Sequence, residues 1–442
     1  MASLALTLVV LSIVFPLTSA LIFVAIRREH KRLKNLIYAG QTLISLVIIS
    51  ALVFLVGEGF SFSVLFFNFN ITPMLTLIAL AIVLANFLVM FYNIGHGYSG
   101  SIEYDIFMCI LLSSLIGGLF ATDLISNYIF LDLTLFSAGY LIFSIKEGVK
   151  AAYKFTFMNF LASVLILFSM IIFSSYTGGF SIQPLTTVQG FEKLVFFGLV
   201  VGVLIKVGAV PFHLWVSSAY SDSPVPVAAI LSGAANCVGL LMLYKIMPLL
   251  QLADFLRVIG IITALYASIV AINQHVFRKR FAYFSIAETG FIIYAFSLGS
   301  MEAIAGGFIL LISQIFVKPL LFLFSGLITE EHGLIKKVHN VGLFGLITGS
   351  FSIAGIPITG GFLGKYLILY SAYIAHDYLS IALLLLASFF LLYSFLLSYS
   401  KISALKQERE SHFTTLMSII VLSIIVIVIG LVPILTGLVW TL

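Results

Sequence analysis

Long apolar runs recur from one end of this 442-residue chain to the other, and they limit its fold more than any other feature. A helix needs about 20 apolar residues to cross the hydrocarbon core of a bilayer, and most of the runs reach that length. They are continuous rather than alternating, which favours helices over membrane strands. Only 9% of the residues are charged, against about 25% in soluble domains. The sequence therefore predicts an all-helical (all-α) integral membrane protein.

The runs predict about fourteen membrane spans, numbered 1 to 14 in chain order. Their predicted bounds are 3–26, 35–56, 70–92, 104–122, 124–145, 151–175, 192–215, 224–248, 255–276, 281–299, 303–328, 341–373, 379–400 and 413–438. The first run lacks a basic start and is followed by a basic cluster, so we expect a retained helix rather than a cleaved signal peptide.

Basic residues predict the orientation of the spans. Because cytoplasmic loops of membrane proteins are enriched in Lys and Arg, the more basic set of loops should face the cytoplasm. Loops that follow odd-numbered spans, with their flanks, hold 16 of the 22 Lys and Arg, and the alternate loops hold three. The 16 are Arg27, Arg28, Lys31, Arg32, Lys34, Lys146, Lys150, Lys154, Arg278, Lys279, Arg280, Lys336, Lys337, Lys401, Lys406 and Arg409. We therefore expect a plasma-membrane protein with both termini outside.

Several functional classes find no support in the sequence. Cys109 and Cys237 lie far apart in apolar runs, without the spacing of a metal site or a disulfide framework. We found no catalytic triad, and we expect no cofactor, metal or catalytic residue in this chain. The net charge of +5 reflects the basic loops and does not indicate binding to nucleic acid. No loop is long enough for a soluble domain, so a catalytic module would have to be another protein.

Charged residues inside the spans are the strongest functional signal. A charge at the bilayer centre costs about 2.5–3.5 kcal/mol on insertion scales, so such residues usually serve a function. Lys206 and Lys318 lie near the middle of spans 7 and 11, and Lys365 lies in span 12. Span 12 has 33 residues, and its Pro357, Gly360 and Gly361 predict a broken helix of the kind transporters use at ion sites. Pro211 predicts a similar break in span 7.

The acidic and other candidate residues leave alternatives open. Asp132 and Glu288 lie about eight and seven residues into spans 5 and 10. Each lysine could instead extend its side chain to the membrane interface. Asp132 could make a helix-packing hydrogen bond, and Glu288 could pair with Arg280 near the surface.

Two further residues have simpler interpretations beside the functional one. His213 could be a proton relay or an interfacial histidine packed near Trp215. Lys154 could belong to an ion pathway or could only fix the topology.

Several ordered motifs resemble a known family. The stretch "KVGAVPFHLW", continued by "SPVPVAAILSG", is similar to the signature of the antiporter-like proton-channel subunits of respiratory complex I. The same family includes Mrp-type cation/proton antiporters and membrane-bound hydrogenases and sulfur reductases. "DLISNYIFLDLTLFSAGYLI", "AAYKF", "RKRFAYFSIAETGF", "FVKPLLFLFSG" and "AGIPITGGFLGK" resemble its other conserved stretches. Together the motifs lie within residues 70–400.

The resemblance implies a fold and a set of site residues. It implies two inverted five-helix repeats, spans 4–8 (residues 104–248) and spans 9–13 (residues 249–400), with broken helices 7 and 12. Residues 1–103 then form the N-terminal helices, and residues 401–442 contain the C-terminal helix. Asp132 takes the place of the family's span-5 glutamate, and Lys206, Lys318 and Lys365 take the places of its buried lysines. Protons or Na⁺ cross such subunits along buried charged residues.

This sequence also departs from the family pattern. Cys237 or Val238 stands where the family has a lysine in span 8, and Leu310 and Gln314 replace two histidines before Lys318. Comparison of the two halves predicts that Glu288 couples to Lys318 or Lys365 and compensates for those histidines.

The sequence thus predicts an ion-translocating subunit of a redox-driven pump or a cation/proton antiporter. The chain would be a non-redox subunit without an active site of its own. The expected partners are further antiporter-like and other membrane subunits, peripheral redox subunits in a redox complex, and lipid. Two alternatives remain: a structural subunit with a degenerate ion pathway, and a stand-alone transporter of an organic solute.

Overall fold

The computed structural model describes residues 2–25, 31–57, 59–64, 67–96, 101–182, 191–247, 252–331, 334–337, 340–403 and 413–435. The helices before the middle of the chain are α1 (Ala2–Ala25), α2 (Lys31–Leu55), α3 (Pro73–His96), α4 (Ile102–Phe120), α5 (Leu124–Phe143), α6 (Val149–Thr177) and α7 (Phe191–Val207). The next are α8 (Leu214–Ser221), α9 (Val225–Ile230), α10 (Asn236–Ile246), α11 (Ala253–Ile272), α12 (Phe277–Leu298) and α13 (Met301–Ser325). The last are α14 (Asn340–Ala354), α15 (Gly360–Ile374), α16 (Tyr378–Ser403) and α17 (Phe413–Leu435).

Membrane-length helices dominate the described part of the chain. By length and composition, 12 helical segments in these ranges could cross a membrane. One of them is continuous through α9, a π-helical turn (Leu231–Ala235) and α10. This confirms a multi-pass, mostly helical membrane protein. Arg27, Arg28, Lys406, Arg409 and the last residues of predicted span 14 lie outside the described residues.

Predicted spans 7 and 12 are each divided between two shorter helices. In span 7, α7 ends at Val207 and α8 begins at Leu214. In span 12, α14 ends at Ala354 and α15 begins at Gly360. Proline lies in both intervals, and it cannot donate the backbone hydrogen bond that would continue a helix.

Two β-hairpins correct the expectation of an all-helical chain. Strand β1 (Phe60–Val64) pairs antiparallel with β2 (Phe67–Ile71), and β3 (Thr329–Glu331) pairs with β4 (Leu334–Lys337). The first hairpin also corrects the start of span 3, which was predicted at residue 70, whereas α3 begins at Pro73. The sequence "FSFSV…FNFNI" alternates aromatic and polar residues, which is the period of a strand. That signal was present in the sequence and was overlooked.

The chain forms two compact units. The first unit comprises Met1–Lys206, Asp222–Val227 and Ala234–Gln251, and the second comprises Val207–Ser221, Ala228–Gly233 and Leu252–Leu442. These units group residues differently from the predicted domains, because spans 7 and 8 contribute short segments to both.

In the first unit, a tight turn fixes the start of α5. Only three residues separate α4 from α5, and Asp123 caps α5 by accepting a 2.8 Å hydrogen bond from the backbone N–H of Ser126. The same carboxylate accepts a 2.7 Å bond from the Ser126 hydroxyl. Such capping satisfies backbone donors at a helix start that lack partners within the helix. It therefore defines where along α5 the side chain of Asp132 projects.

In the second unit, close helix packing positions Glu288. A side chain at Gly260 of α11 would lie 2.7 Å from the backbone nitrogen of Tyr294 in α12. A side chain at Gly290 would lie 2.4 Å from the backbone nitrogen of Ala264. Small residues allow membrane helices to approach at backbone distance, and here they hold α12 against α11 next to Glu288.

Candidate functional site

Lys206 and Asp132 form a buried ion pair in the first unit. The Lys206 Nζ lies 3.1 Å from Asp132 Oδ1, and the two side chains are 5% and 17% exposed. Lys206 lies in the last turn of α7, where a cation interacts favourably with the helix dipole. At an effective dielectric of about 20, opposite unit charges at this distance attract by roughly 5 kcal/mol before desolvation is subtracted.

Ser163 of α6 links the two members of this pair. Its hydroxyl donates a hydrogen bond to Asp132 Oδ1 and accepts a 2.9 Å bond from Lys206 Nζ. The sequence analysis did not identify Ser163. Its sequence signal is weak: Ser163 follows Asn159 by four residues in α6, and both side chains are buried.

A second buried ion pair joins Lys365 of α15 to Glu288 of α12. The Lys365 Nζ lies 2.8 Å from Glu288 Oε1, and the side chains are 4% and 3% exposed. Glu288 lies deeper than predicted, because α12 begins at Phe277 and the carboxylate follows eleven residues later. It therefore does not extend to the surface. Arg280 instead donates to the hydroxyl of Ser398.

Three neutral groups complete the surroundings of the second pair. The Lys365 ammonium donates to the backbone carbonyl of Ile353, in the last turn of α14, and lies 4.1 Å from the ring centroid of Phe291. A cation is favourable both at a helix C-terminus and over an aromatic face. The amide nitrogen of Gln314, on α13, lies 3.4 Å from Glu288 Oε2. Gln314 thus stands at the carboxylate, at one of the two positions where the motif resemblance implied a histidine.

The remaining predicted site residues have different environments. Lys318 is 1% exposed in the C-terminal half of α13, beside Pro319. His213 lies between α7 and α8, is 4% exposed, and packs its ring edge-on against Tyr266 at a centroid distance of 5.0 Å. Lys154 lies near the start of α6 with an exposed side chain.

Lys245 is a buried lysine that the sequence analysis assigned only to a loop flank. It lies in the last turn of α10, and its ammonium donates to the carbonyls of Gly118, Leu119 and Ala121 at 3.3, 3.0 and 2.6 Å. These carbonyls belong to the C-terminal end of α4, so Lys245 caps that helix.

The fold and these buried pairs define a class: multi-pass helical membrane proteins with ionisable pairs inside the span region. The family model "NADH:quinone oxidoreductase/Mrp antiporter, TM" matches residues 121–391. The chain therefore belongs to the NADH:quinone oxidoreductase/Mrp antiporter transmembrane family, and the resemblance seen in the motifs is confirmed.

Individual relatives are distant in sequence. The chain is 28% identical over 312 residues to NADH-quinone oxidoreductase subunit N 2 of Rhizobium meliloti, covering 65% of each chain. It is 29% identical over 404 residues to Na(+)/H(+) antiporter subunit A1 of Staphylococcus epidermidis, covering 78% of this chain and 50% of that protein. The chain thus spans less than two thirds of the length of both relatives.

Solved structures share the fold over nearly the whole chain. A chain of the Mrp complex from Dietzia sp. matches with a TM-score of 0.90 at 18% identity, covering 99% of this chain and 96% of that one. A chain of the membrane-bound sulfane sulfur reductase, an archaeal respiratory membrane complex, matches with a TM-score of 0.88 at 21% identity. That match covers 98% of this chain and 96% of the other. At these identities the likeness describes the fold.

Proposed function

We propose that this chain is an ion-translocating, antiporter-like membrane subunit that moves H⁺, or exchanges Na⁺ for H⁺, through buried acid–lysine pairs. The proposal rests on one observation: the structure contains two buried ion pairs, and the lysine of each lies near a helix interruption. Asp132 and Lys206 act in the first unit, and Glu288 and Lys365 in the second. Lys318 and His213 are buried in the second unit and serve as intermediate proton carriers.

The proposal includes a topology of fourteen crossings. Spans 4–8 and 9–13 form two inverted repeats, and spans 7 and 12 are their broken helices. One feature of the sequence and one of the helices support this arrangement. The lysine of each pair follows its acid by a similar interval, 74 positions for Lys206 and 77 for Lys365. Spans 7 and 12 are both interrupted at proline-containing segments.

The pairs provide a mechanism for proton release. Close pairing stabilises the charged lysine, and separation favours its neutral form because a buried charge without a partner is costly. If the charges move from 3.1 Å to about 6 Å, the attraction falls by roughly 2.5 kcal/mol at a dielectric of about 20. The charged form of the lysine loses that much of its stabilisation by the carboxylate. A conformational or electrostatic step that separates Asp132 from Lys206 therefore releases a proton.

The subunit acts within a larger complex. The relatives are named as subunits of a quinone oxidoreductase and of an antiporter, and the two solved neighbours belong to membrane complexes. By analogy, this chain assembles with further antiporter-like and other membrane subunits. A redox complex would add peripheral redox subunits.

Ion movement tests the proposal directly. In energised membrane vesicles from the native host, proton uptake is followed with a quenching dye before and after Na⁺ is added, with Lys206→Met or Lys365→Met replacing the natural chain. We expect both variants to assemble and to lose most of the ion movement. Lys279→Met, which removes an exposed lysine of α12, should leave it unchanged. Normal ion movement by an assembled Lys206→Met complex would reject the role of the first pair.

One departure from the family favours a second candidate function. Span 8 has Cys237 or Val238 at the lysine position, as expected of a structural subunit with a degenerate pathway. In that case both Lys→Met variants would retain normal ion movement, whereas deletion of the whole subunit would still disassemble the complex.

Cysteine labelling tests the orientation. We propose that residues near 278 face the cytoplasm and residues near 376 face outside, with both termini outside and the chain in the plasma membrane. Lys279→Cys and His376→Cys, introduced separately into a chain without Cys109 and Cys237, should react with an impermeant maleimide from opposite sides of the membrane. Reaction from the same side would overturn the fourteen-span topology.

A further inference from the structure

A groove between α5 and α6 lies at the end of α6 that begins with a cluster of lysines. It has a volume of about 500 Å³, within the range of roughly 300–1,000 Å³ typical of ligand sites. Leu135, Phe136, Gly139 and Tyr140 line it from α5, and Val149 and Tyr153 line it from α6. Both helices belong to candidate membrane spans. The groove therefore opens toward the region that lipid or another protein occupies.

Water is a poor occupant for this groove. Its lining is almost entirely aliphatic and aromatic, and buried water needs two to four polar partners. The wall is also open to the membrane, since Phe136 and Tyr153 are 64% and 73% exposed. The floor is closed by tight packing: a side chain at Gly139 would lie 2.9 Å from the Thr156 hydroxyl of α6. An apolar chain fits such a trough.

The charges near the start of α6 indicate what kind of headgroup would accompany an apolar chain in the groove. Lys146, Lys150 and Lys154 are exposed around the start of α6, and Glu147 is the one acidic residue in this short segment. Lys146 and Lys150 each precede a lining residue of the groove, Val149 and Tyr153, by three positions, which is the spacing of neighbours on a helix surface. Clusters of lysine at the membrane surface attract anionic headgroups, and each lysine increases the affinity about fivefold.

We propose that this groove binds an anionic phospholipid. The phosphate and headgroup lie at Lys146 and Lys150, and an acyl chain lies in the trough past Tyr153 and Phe136. The match of a positive end to an apolar body favours a lipid over a helix of a neighbouring subunit. The inference stands independently of the ion-translocation proposal, because it uses neither buried ion pair.

Tryptophan quenching by brominated lipids tests the site. Tyr153→Trp places a reporter in the groove of the full chain, reconstituted in phosphatidylcholine vesicles with a small fraction of brominated phosphatidylglycerol or brominated phosphatidylcholine. Quenching is taken as the difference from the parent chain, which has its own two tryptophans. We expect phosphatidylglycerol to quench several-fold more than phosphatidylcholine at equal fraction. The combined change Lys146→Gln and Lys150→Gln should reduce that preference at least about fivefold.

Three controls make the result decisive. Phe168→Trp reports from an exposed position of the same helix, far from the lysines, and should show no headgroup preference. Lys279→Gln in the Tyr153→Trp chain should leave the preference unchanged. Salt near 1 M, where the screening length falls to about 3 Å, should weaken it without any substitution. Equal quenching by both lipids, or a preference that survives both the lysine changes and the salt, would overturn the proposal. The proposal would also be overturned if the Tyr153→Trp chain lost its quenching when assembled in the native complex, because another subunit would then fill the groove.

Discussion

In the first unit, the Asp132 carboxylate interacts with both the Lys206 ammonium and the Ser163 hydroxyl, and 17% of the Asp132 side chain is exposed. In the second unit, Lys365 and Glu288 are both almost completely buried, and their other neighbours are an amide, a backbone carbonyl and an aromatic ring. The two charge separations differ by only a few tenths of an ångström. The difference therefore lies in the surroundings: one hydroxyl contacts both members of the first pair, whose carboxylate is partly exposed, whereas the members of the second pair are fully buried and have separate neutral neighbours.

This contrast predicts unequal roles for the two pairs. A pair that can exchange partners with a hydroxyl opens at lower cost than one enclosed by helices. We therefore expect the first pair to separate more easily during turnover and the second to hold its charges together longer.

The largest expected effect comes from removing one charge of the more buried pair. Lys365→Met leaves Glu288 buried with Gln314 as its remaining polar neighbour, and breaking a buried pair in this way costs about 3–5 kcal/mol. The thermal midpoint of the purified protein should fall clearly. Lys206→Met should lower it less, because Asp132 is 17% exposed, against 3% for Glu288, and keeps the Ser163 hydroxyl. A larger drop for Lys206→Met would contradict the comparison.

Removing both charges should separate stability from function. Lys365→Met combined with Glu288→Gln leaves no buried unpaired charge, so most of the lost stability should return, while ion movement stays absent. The equivalent combination in the first unit, Lys206→Met with Asp132→Asn, should recover less, because less was lost. The two double-mutant cycles measure the coupling within each pair. A smaller coupling energy for Glu288 and Lys365 than for Asp132 and Lys206 would reverse our ranking.

Loss of the bridging hydroxyl should have an intermediate effect. Ser163→Ala removes hydrogen bonds to two charged groups, which contribute about 1.5–3 kcal/mol each in favourable cases. The Asp132–Lys206 contact remains, so ion movement in vesicles should slow without stopping. Ser137→Ala is the matched control, since that buried hydroxyl bonds only to carbonyls of its own helix. Equal rates for the two variants would remove Ser163 from the mechanism.

The smallest effect is expected at Gln314. Its amide reaches Glu288 at 3.4 Å, a long hydrogen bond, so Gln314→Met should cost no more than about 1 kcal/mol. The thermal midpoint should change little, and ion movement should exceed that of Ser163→Ala. If Gln314→Met instead stops ion movement, the second pair depends on this amide as the first depends on its hydroxyl.

The sequence by itself determined the membrane class, the family and the approximate helices. Continuous apolar runs of span length allow few alternatives to a helix in lipid, and the motifs around Lys206 and Lys365 are specific. It also indicated which charges are buried, since Lys206, Lys318 and Lys365 lie too far from a span end to be ordinary loop residues. The alternating pattern of residues 60–71 held the first hairpin too, although the expectation of helices obscured it.

Tertiary structure alone decided which groups meet. The helices are apolar on nearly every side, so periodicity does not reveal which face of α6 turns inward, and Ser163 could not be assigned. The same limit separates Lys154, which is exposed, from Lys245, which caps α4. The partner of Glu288 likewise depended on where α12 begins and on its close packing against α11. Contacts between residues distant in the chain arise from helix rotation and packing, and these follow from the whole set of neighbours rather than from any one span.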